Sequence, residues 1–156
     1  MKKALTIFLI LLLVFNSNAQ DNPDEQYMDA YIVIADTSQN YFELRQQMLA
    51  LSKKLSAKID TMGRGFNEEK NLICLPEDDE DEIYAGEYYL RRYPSEALSL
   101  EYFTYYSDEE TNEKTIALFT IITEDKKEAE KNLIEVSKYS ENAFIIKSRL
   151  YMGCMH

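Results

Sequence analysis

Apolar residues divide the 156-residue chain into a short N-terminal block and a longer remainder with strand and helix periodicities. Met1, Lys2 and Lys3 precede an uncharged, apolar run, Ala4 to Phe15, with Thr6 its one polar residue, which turns polar at Asn16, Ser17 and Asn18 before Ala19. A basic start, an apolar centre and small residues ahead of a cut form the order of an export signal. The apolar run holds 12 residues, short of the roughly 20 that carry a helix across a bilayer. Cleavage after Ala19 is therefore expected. It leaves a domain that starts at Gln20, with no membrane anchor and no cysteine at the junction to take a lipid. The expected location is periplasmic or secreted.

Residues 20–29 are polar and acidic around Pro23 and read as a flexible leader, with the domain beginning at Ala30. Tyr31 to Ala35 is apolar and β-branched, which predicts a buried strand closed by Asp36, Thr37 and Ser38. Asn40 and Glu43 have capping-box spacing, and Tyr41, Leu44, Met48, Leu51 and Leu55 form one apolar helical stripe. Ala57 to Met62 reads as a second strand closed by the turn Gly63-Arg64-Gly65, and Asn71 to Leu75 as a short strand stopped by Pro76. Leu98 to Tyr106 alternates as a strand, and Ile116 to Thr123 has the density of apolar residues of a central strand. Asp125 and Glu128 start a second helix with Ala129, Leu133 and Val136 inward. Ala143 to Tyr151 is a last strand, with Phe144, Ile146 and Leu150 opposite Lys147 and Arg149.

This order predicts one α+β domain over residues 30–156 with a ferredoxin-like βαββαβ plan. The expectation is an antiparallel sheet with two helices on one face and an acidic, tyrosine-rich insertion at about 63–97. Two strand-to-helix passages, Tyr31-Ile32-Val33-Ile34-Ala35 into the first helix and Ile116 to Thr123 into Glu128-Ala129, resemble the SPOR domain. That family comprises small modules of bacterial envelope proteins that bind peptidoglycan glycan strands. The resemblance implies a non-enzymatic, peptidoglycan-binding role.

Charge narrows the partners. The chain carries a net charge of -11, and loss of Lys2 and Lys3 makes it -13. Phosphate-rich partners are repelled by such a surface, so nucleic acid is excluded as a ligand. Export also bears on Cys74 and Cys154, the only two cysteines. An oxidising compartment allows them to pair, which contributes about 4 kcal/mol in the chain-entropy view; the alternative is two separate buried thiols.

Candidate chemistry is sparse. His156 is the only histidine and ends the chain, so no Ser-His-Asp or Cys-His arrangement is supported, and the chain reads as non-enzymatic with no cofactor or metal requirement. The run Glu77 to Glu82 offers hard oxygen ligands without EF-hand spacing and reads first as a solvated loop. The tail from Met152 to His156 gathers soft ligands suited to Cu(I), a set that loses its thiolate if Cys154 pairs. The richest stretch runs from Tyr84 to Tyr106 and holds seven of the twelve tyrosines. Tyr84, Tyr88, Tyr89, Arg91, Arg92 and Tyr93 combine rigid amphipathic rings with planar guanidinium forks, a combination enriched at binding surfaces. Tyrosine also favours strands, so Tyr88, Tyr89, Arg91 and Arg92 are equally candidates for the core, and Tyr102 is assigned there. Two functions follow: an exported envelope domain that binds glycan through this stretch, or an acidic protein-interaction or immunity-type domain that captures a basic partner.

Overall fold

Ile116–Thr123 is buried at all eight positions, as its unbroken apolar and β-branched sequence requires, and it becomes the middle strand of the main sheet. The computed structural model describes residues 26–108 and 112–153. The elements are β1 (Tyr27–Ser38), α1 (Tyr41–Leu55), β2 (Lys58–Ile59), β3 (Gly65–Asn67), β4 (Leu72–Cys74), β5 (Ala97–Tyr102), β6 (Ile116–Thr123), α2 (Lys126–Val136) and β7 (Phe144–Tyr151). A single 3-10 turn, Phe103–Tyr105, follows β5. The fold is α+β, with a five-stranded sheet ordered β2-β5-β6-β1-β7 and a separate β3-β4 hairpin.

Both helices pack into one apolar layer. Leu44, Met48 and Leu51 of α1 and Ala129 and Val136 of α2 meet Val33, Leu98, Leu100, Leu118 and Ile121 of the sheet. The opposite set of strand residues, Ile32, Ile34, Ala117, Phe119 and Leu150, packs with Phe103 and Tyr106 in a second layer that also takes Leu90. Asn40 caps α1 by accepting from Phe42 N–H and Glu43 N–H, and Asp125 caps α2 by accepting from Lys127 N–H. These are the caps that the sequence signals mark.

Several boundaries differ from expectation. β1 starts at Tyr27, so residues 27–29 belong to the sheet and not to a leader: they pair with Tyr151, Leu150 and Arg149 of β7. The polar residue Asp29 hides this stretch in the sequence, because it lies half in solvent beside Lys147. β1 also continues to Ser38 across register shifts between Val33 and Asp36, a bulge that interrupts strict alternation. The second strand shrinks to Lys58–Ile59 and runs parallel to β5, which makes the sheet mixed and not wholly antiparallel. The strand read over Leu98 to Tyr106 turns at Phe103, which is buried as the chain winds into the 3-10 turn. The strand read near Cys74 pairs only with β3, outside the main sheet. Gly63 has φ of 78°, as a turn at this glycine requires. The export signal, residues 20–25 of the leader, Cys154 with its proposed pairing to Cys74, and the tail ligands Cys154, Met155 and His156 lie outside the described residues. Among the described residues no helix is long and apolar enough to cross a membrane.

Candidate binding site

The tyrosine-rich stretch is organised by a carboxylate at its centre. Glu101 points from β5 into the second layer and is fully buried. Arg64, from the turn after β2, reaches it with both terminal nitrogens: Nη2 donates to Oε1 at 2.6 Å and Nη1 to Oε2 at 2.7 Å. The same guanidinium donates to Thr61 O and Tyr89 O, so it ties the chain just before the insertion and a point within it to the sheet. Burial works against the charge of Arg64, but the hydrogen bond and the attraction of Glu101 outweigh it and raise its pKa above the ordinary guanidinium value.

Two phenols complete the network. The Tyr88 hydroxyl donates to Glu101 Oε2 at 2.5 Å and accepts from Tyr102 N–H at 3.3 Å. The Tyr106 hydroxyl stands 2.5 Å from Arg91 O and 3.2 Å from Glu101 Oε2, and its one proton serves only one of them at a time. Burial first, and then the charge of Glu101, push both phenols well above the usual tyrosine range. They are neutral donors at any ordinary pH.

The six residues singled out as a surface patch separate. Arg91 is buried and donates to Ala97 O, Ser99 Oγ, Ser95 O and Ser95 Oγ, a set of bonds that pins residues 91–99 together. Burial lowers its pKa somewhat. Arg92 is buried as well and donates from Nη1 to Tyr151 O and Gly153 O, closing the end of β7. The Arg91 fork is consumed by internal carbonyls and hydroxyls, whereas Arg92 uses Nη1 alone and leaves its buried Nε without a hydrogen-bond partner; both side chains are buried and form no outer face. Tyr84 and Tyr89 are half-buried and meet edge to face at 4.9 Å. Tyr93 alone of the six is exposed, under the Arg92 guanidinium.

Tyr88 has a second role. Its ring stacks on Tyr105 with centroids 5.3 Å apart and meets Tyr102 edge-on at 5.0 Å. These three rings, with Leu72, Lys70 and Lys114, line a cleft of about 580 Å³ between the β3-β4 hairpin and the turn after β5. Tyr105 is 59% exposed. Tyr102 fixes the hairpin wall, because its hydroxyl accepts the Ile73 N–H at 2.9 Å. The volume lies in the range of small-ligand sites, and the lining joins flat apolar faces to hydroxyls and cations. The sequence marks Tyr88 and assigns Tyr102 to the core, where the structure does bury it, but it does not single out Tyr105 or Lys70. The signal that joins them is the position of Glu101 between Leu100 and Tyr102, a charge in a strand otherwise fit for burial.

The acidic run folds as successive side-chain-capped turns: Asp79 accepts from Asp81 N–H, and Asp81 accepts from Ile83 N–H. Among the described residues no three His, Cys, Asp or Glu side chains are placed to share a metal ion. Cys74 is buried, which raises its thiol pKa. No protein-family model, curated protein or solved structure matches this chain.

Proposed function

We propose that the protein is an exported, non-enzymatic domain of the cell envelope that binds glycan, peptidoglycan strands being the ligand class, in the cleft between Tyr88, Tyr102 and Tyr105. The observation that carries this reading is the exposed ring of Tyr105 stacked on a Tyr88 that two hydrogen bonds hold in place. A sugar ring stacks on such a face without first ordering the protein, so less conformational entropy is lost on binding. The order β5-β6-β1-β7, with antiparallel pairing throughout, supports a ferredoxin-like reading of the sheet in which β2 is an addition at one edge. That reading in turn supports the resemblance to SPOR domains and a periplasmic or secreted location.

Incubation of the purified protein with isolated sacculi tests the function. Sedimentation with the sacculi at low salt, lost on Tyr105→Ala, is the expected result; complete recovery in the supernatant refutes it. Recovery instead with a stoichiometric basic protein partner would favour the second reading, an acidic interaction or immunity-type domain. The exposure of Glu77, Asp78 and Glu80 to Glu82 is what favours that reading.

A further inference from the structure

Two cavities lie on the helix layer, with α1 on one side and α2 and the turn after it on the other. The first, about 290 Å³, has Ala35, Leu51 and Leu118 as an apolar floor and carries Asp36 and Glu141 on its walls. The second, about 370 Å³, lies over Leu98 and Thr120 and takes in Lys58 and Asn132. Lys54 and Tyr139 line both, with the Lys54 ammonium 5.0 Å from the centre of the Tyr139 ring, so the cavities adjoin at a shared waist and form one groove. It has no residue in common with the tyrosine cleft.

Each end is built around a polar group held in place by the fold. Neighbouring residues of a regular strand point to opposite faces, yet Ala35 and Asp36 both line the first cavity. The register shift between Ile34 and Asp36 is a bulge, which re-aims the carboxylate towards the helices. Asp36 Oδ1 accepts from Thr37 N–H at 2.8 Å and from Asn142 Nδ2 at 3.2 Å, and Oδ2 is left without a donor among the described residues. Ser140 Oγ donates to Ala35 O at 2.6 Å and fixes the turn that carries Glu141. At the other end the Thr120 hydroxyl, buried in β6, donates to Asn132 Oδ1 at 2.6 Å. That bond occupies the amide oxygen and leaves Nδ2 with both its hydrogens for the cavity.

Charge distinguishes the two ends. Among the described residues neither Asp36 nor Glu141 pairs with a cation, and neither Lys54 nor Lys58 pairs with a carboxylate. Glu135 lines the second cavity but is already held by Lys138 at 2.6 Å, so Glu96 is the one acid there set against two lysines and an amide. The first cavity thus offers acceptors to an ammonium, and the second offers donors to a carboxylate. We propose that this groove binds a short free peptide, with its terminal ammonium at Asp36 and Glu141, its terminal carboxylate at Lys54, Lys58 and Asn132, and small apolar side chains over the floor between them.

Di-, tri- and tetra-alanine are the probes, titrated calorimetrically into the purified protein at low salt. At least one should bind. N-acetylation and C-amidation of that peptide should each weaken binding at least tenfold, because each leaves the polar groups at one end of the groove unanswered. Asp36→Asn should lower affinity for the free peptide at least fivefold and leave that for the N-acetylated peptide unchanged. Lys58→Gln should likewise weaken the free peptide and leave the C-amidated one unchanged. Where a lower melting temperature shows that Asp36→Asn disturbs the bulge, Glu141→Gln takes its place, since Glu141 is exposed. Tyr105→Ala should bind peptide as the parent protein does, which keeps this result separate from the glycan reading. No binding of any of the three peptides, equal binding of free and blocked forms, or a loss in either variant that the matching blocked peptide shares overturns the proposal.

Discussion

Removal of the Arg64 guanidinium should be the most damaging single change in the insertion. Side-chain exposure is 1% for Arg64 and 0% for Glu101, so solvent cannot replace the lost partner. In Arg64→Ala the carboxylate keeps the Tyr88 hydroxyl and a share of Tyr106, and it loses both charge-assisted bonds. Thr61 O and Tyr89 O lose donors at the same time. Breaking one side of a buried ion pair costs about 3–5 kcal/mol, because a charge remains buried without compensation. Against a typical total of roughly 5–15 kcal/mol this is a large fraction. At roughly 3–5 °C per kcal/mol for a domain of this size, the melting temperature should drop by about 10–20 °C. Urea unfolding followed by circular dichroism would measure the loss directly. A cycle with Glu101→Ala and the double variant should show coupling of at least about 2 kcal/mol, since only the single variants strand a charge. Lys at position 64 keeps the charge but not the two-pronged geometry and should recover only part of the stability. A loss under about 1 kcal/mol in Arg64→Ala, or strictly additive losses around the cycle, would refute the assignment of the pair as the tie of the insertion.

Other consequences are as direct. Tyr88 and Tyr106 have folded pKa values raised well above their unfolded ones, so the stability they contribute is complete below about pH 10 and is lost as pH rises through the folded values. A titration at 295 nm should therefore show two of the twelve tyrosines ionising only with alkaline unfolding. Asn40→Ala removes the acceptor for two N–H groups of α1 and should cost about 1 kcal/mol by chemical denaturation, with Asn40→Asp close to neutral. Tyr105→Ala should leave the melting temperature within a degree or two, because the ring is mostly exposed, yet abolish sedimentation with sacculi. Equal loss of stability and binding in that variant would count against a surface role for the ring.

Periodicity carried most of the architecture and little of the site. Ile116–Thr123, the two capped helices and the alternation of Phe144–Tyr151 were legible because each obeys one rule along its whole length. β1 was legible only in its apolar half. Its N-terminal residues lie beside β7 at the margin of the sheet, where polar side chains are tolerated, and a bulge breaks the pattern before Ser38. The brevity of β2 was not legible either, since two residues of pairing leave no period to read. Arginines misled for a physical reason. A guanidinium fork suits an outer binding face and an inner cluster of carbonyls equally well, and only the fold decides which is nearby. Arg91 and Arg92 found carbonyls, at Ala97, Ser95, Tyr151 and Gly153. Glu101 gave the opposite problem, a charge whose burial is permitted only by Arg64, thirty-seven residues away in sequence.

Stability and binding should prove coupled through that carboxylate. The segment between β2 and β5 adds no strand to the main sheet; the packing of Ile73 in the core and a bridge from Ser95 to Ile122 hold it, together with polar ties that converge near Glu101. Tyr88 belongs to both systems: its hydroxyl is a member of the network, and its ring is the backing of Tyr105 in the cleft. Loss of one bond from that hydroxyl leaves a buried acceptor or the Tyr102 N–H unpaired, a cost of about 1–3 kcal/mol. It also frees the ring to leave the stacked geometry. Tyr88→Phe should therefore weaken glycan binding more than the loss of one hydroxyl contact with a ligand explains, and it should do so with the fold intact. The fall would come from a cleft wall that must be ordered on binding instead of before it. If Tyr88→Phe loses stability as expected while binding is unchanged, the cleft does not depend on the network, and the ligand is held by Tyr105 and the hairpin alone.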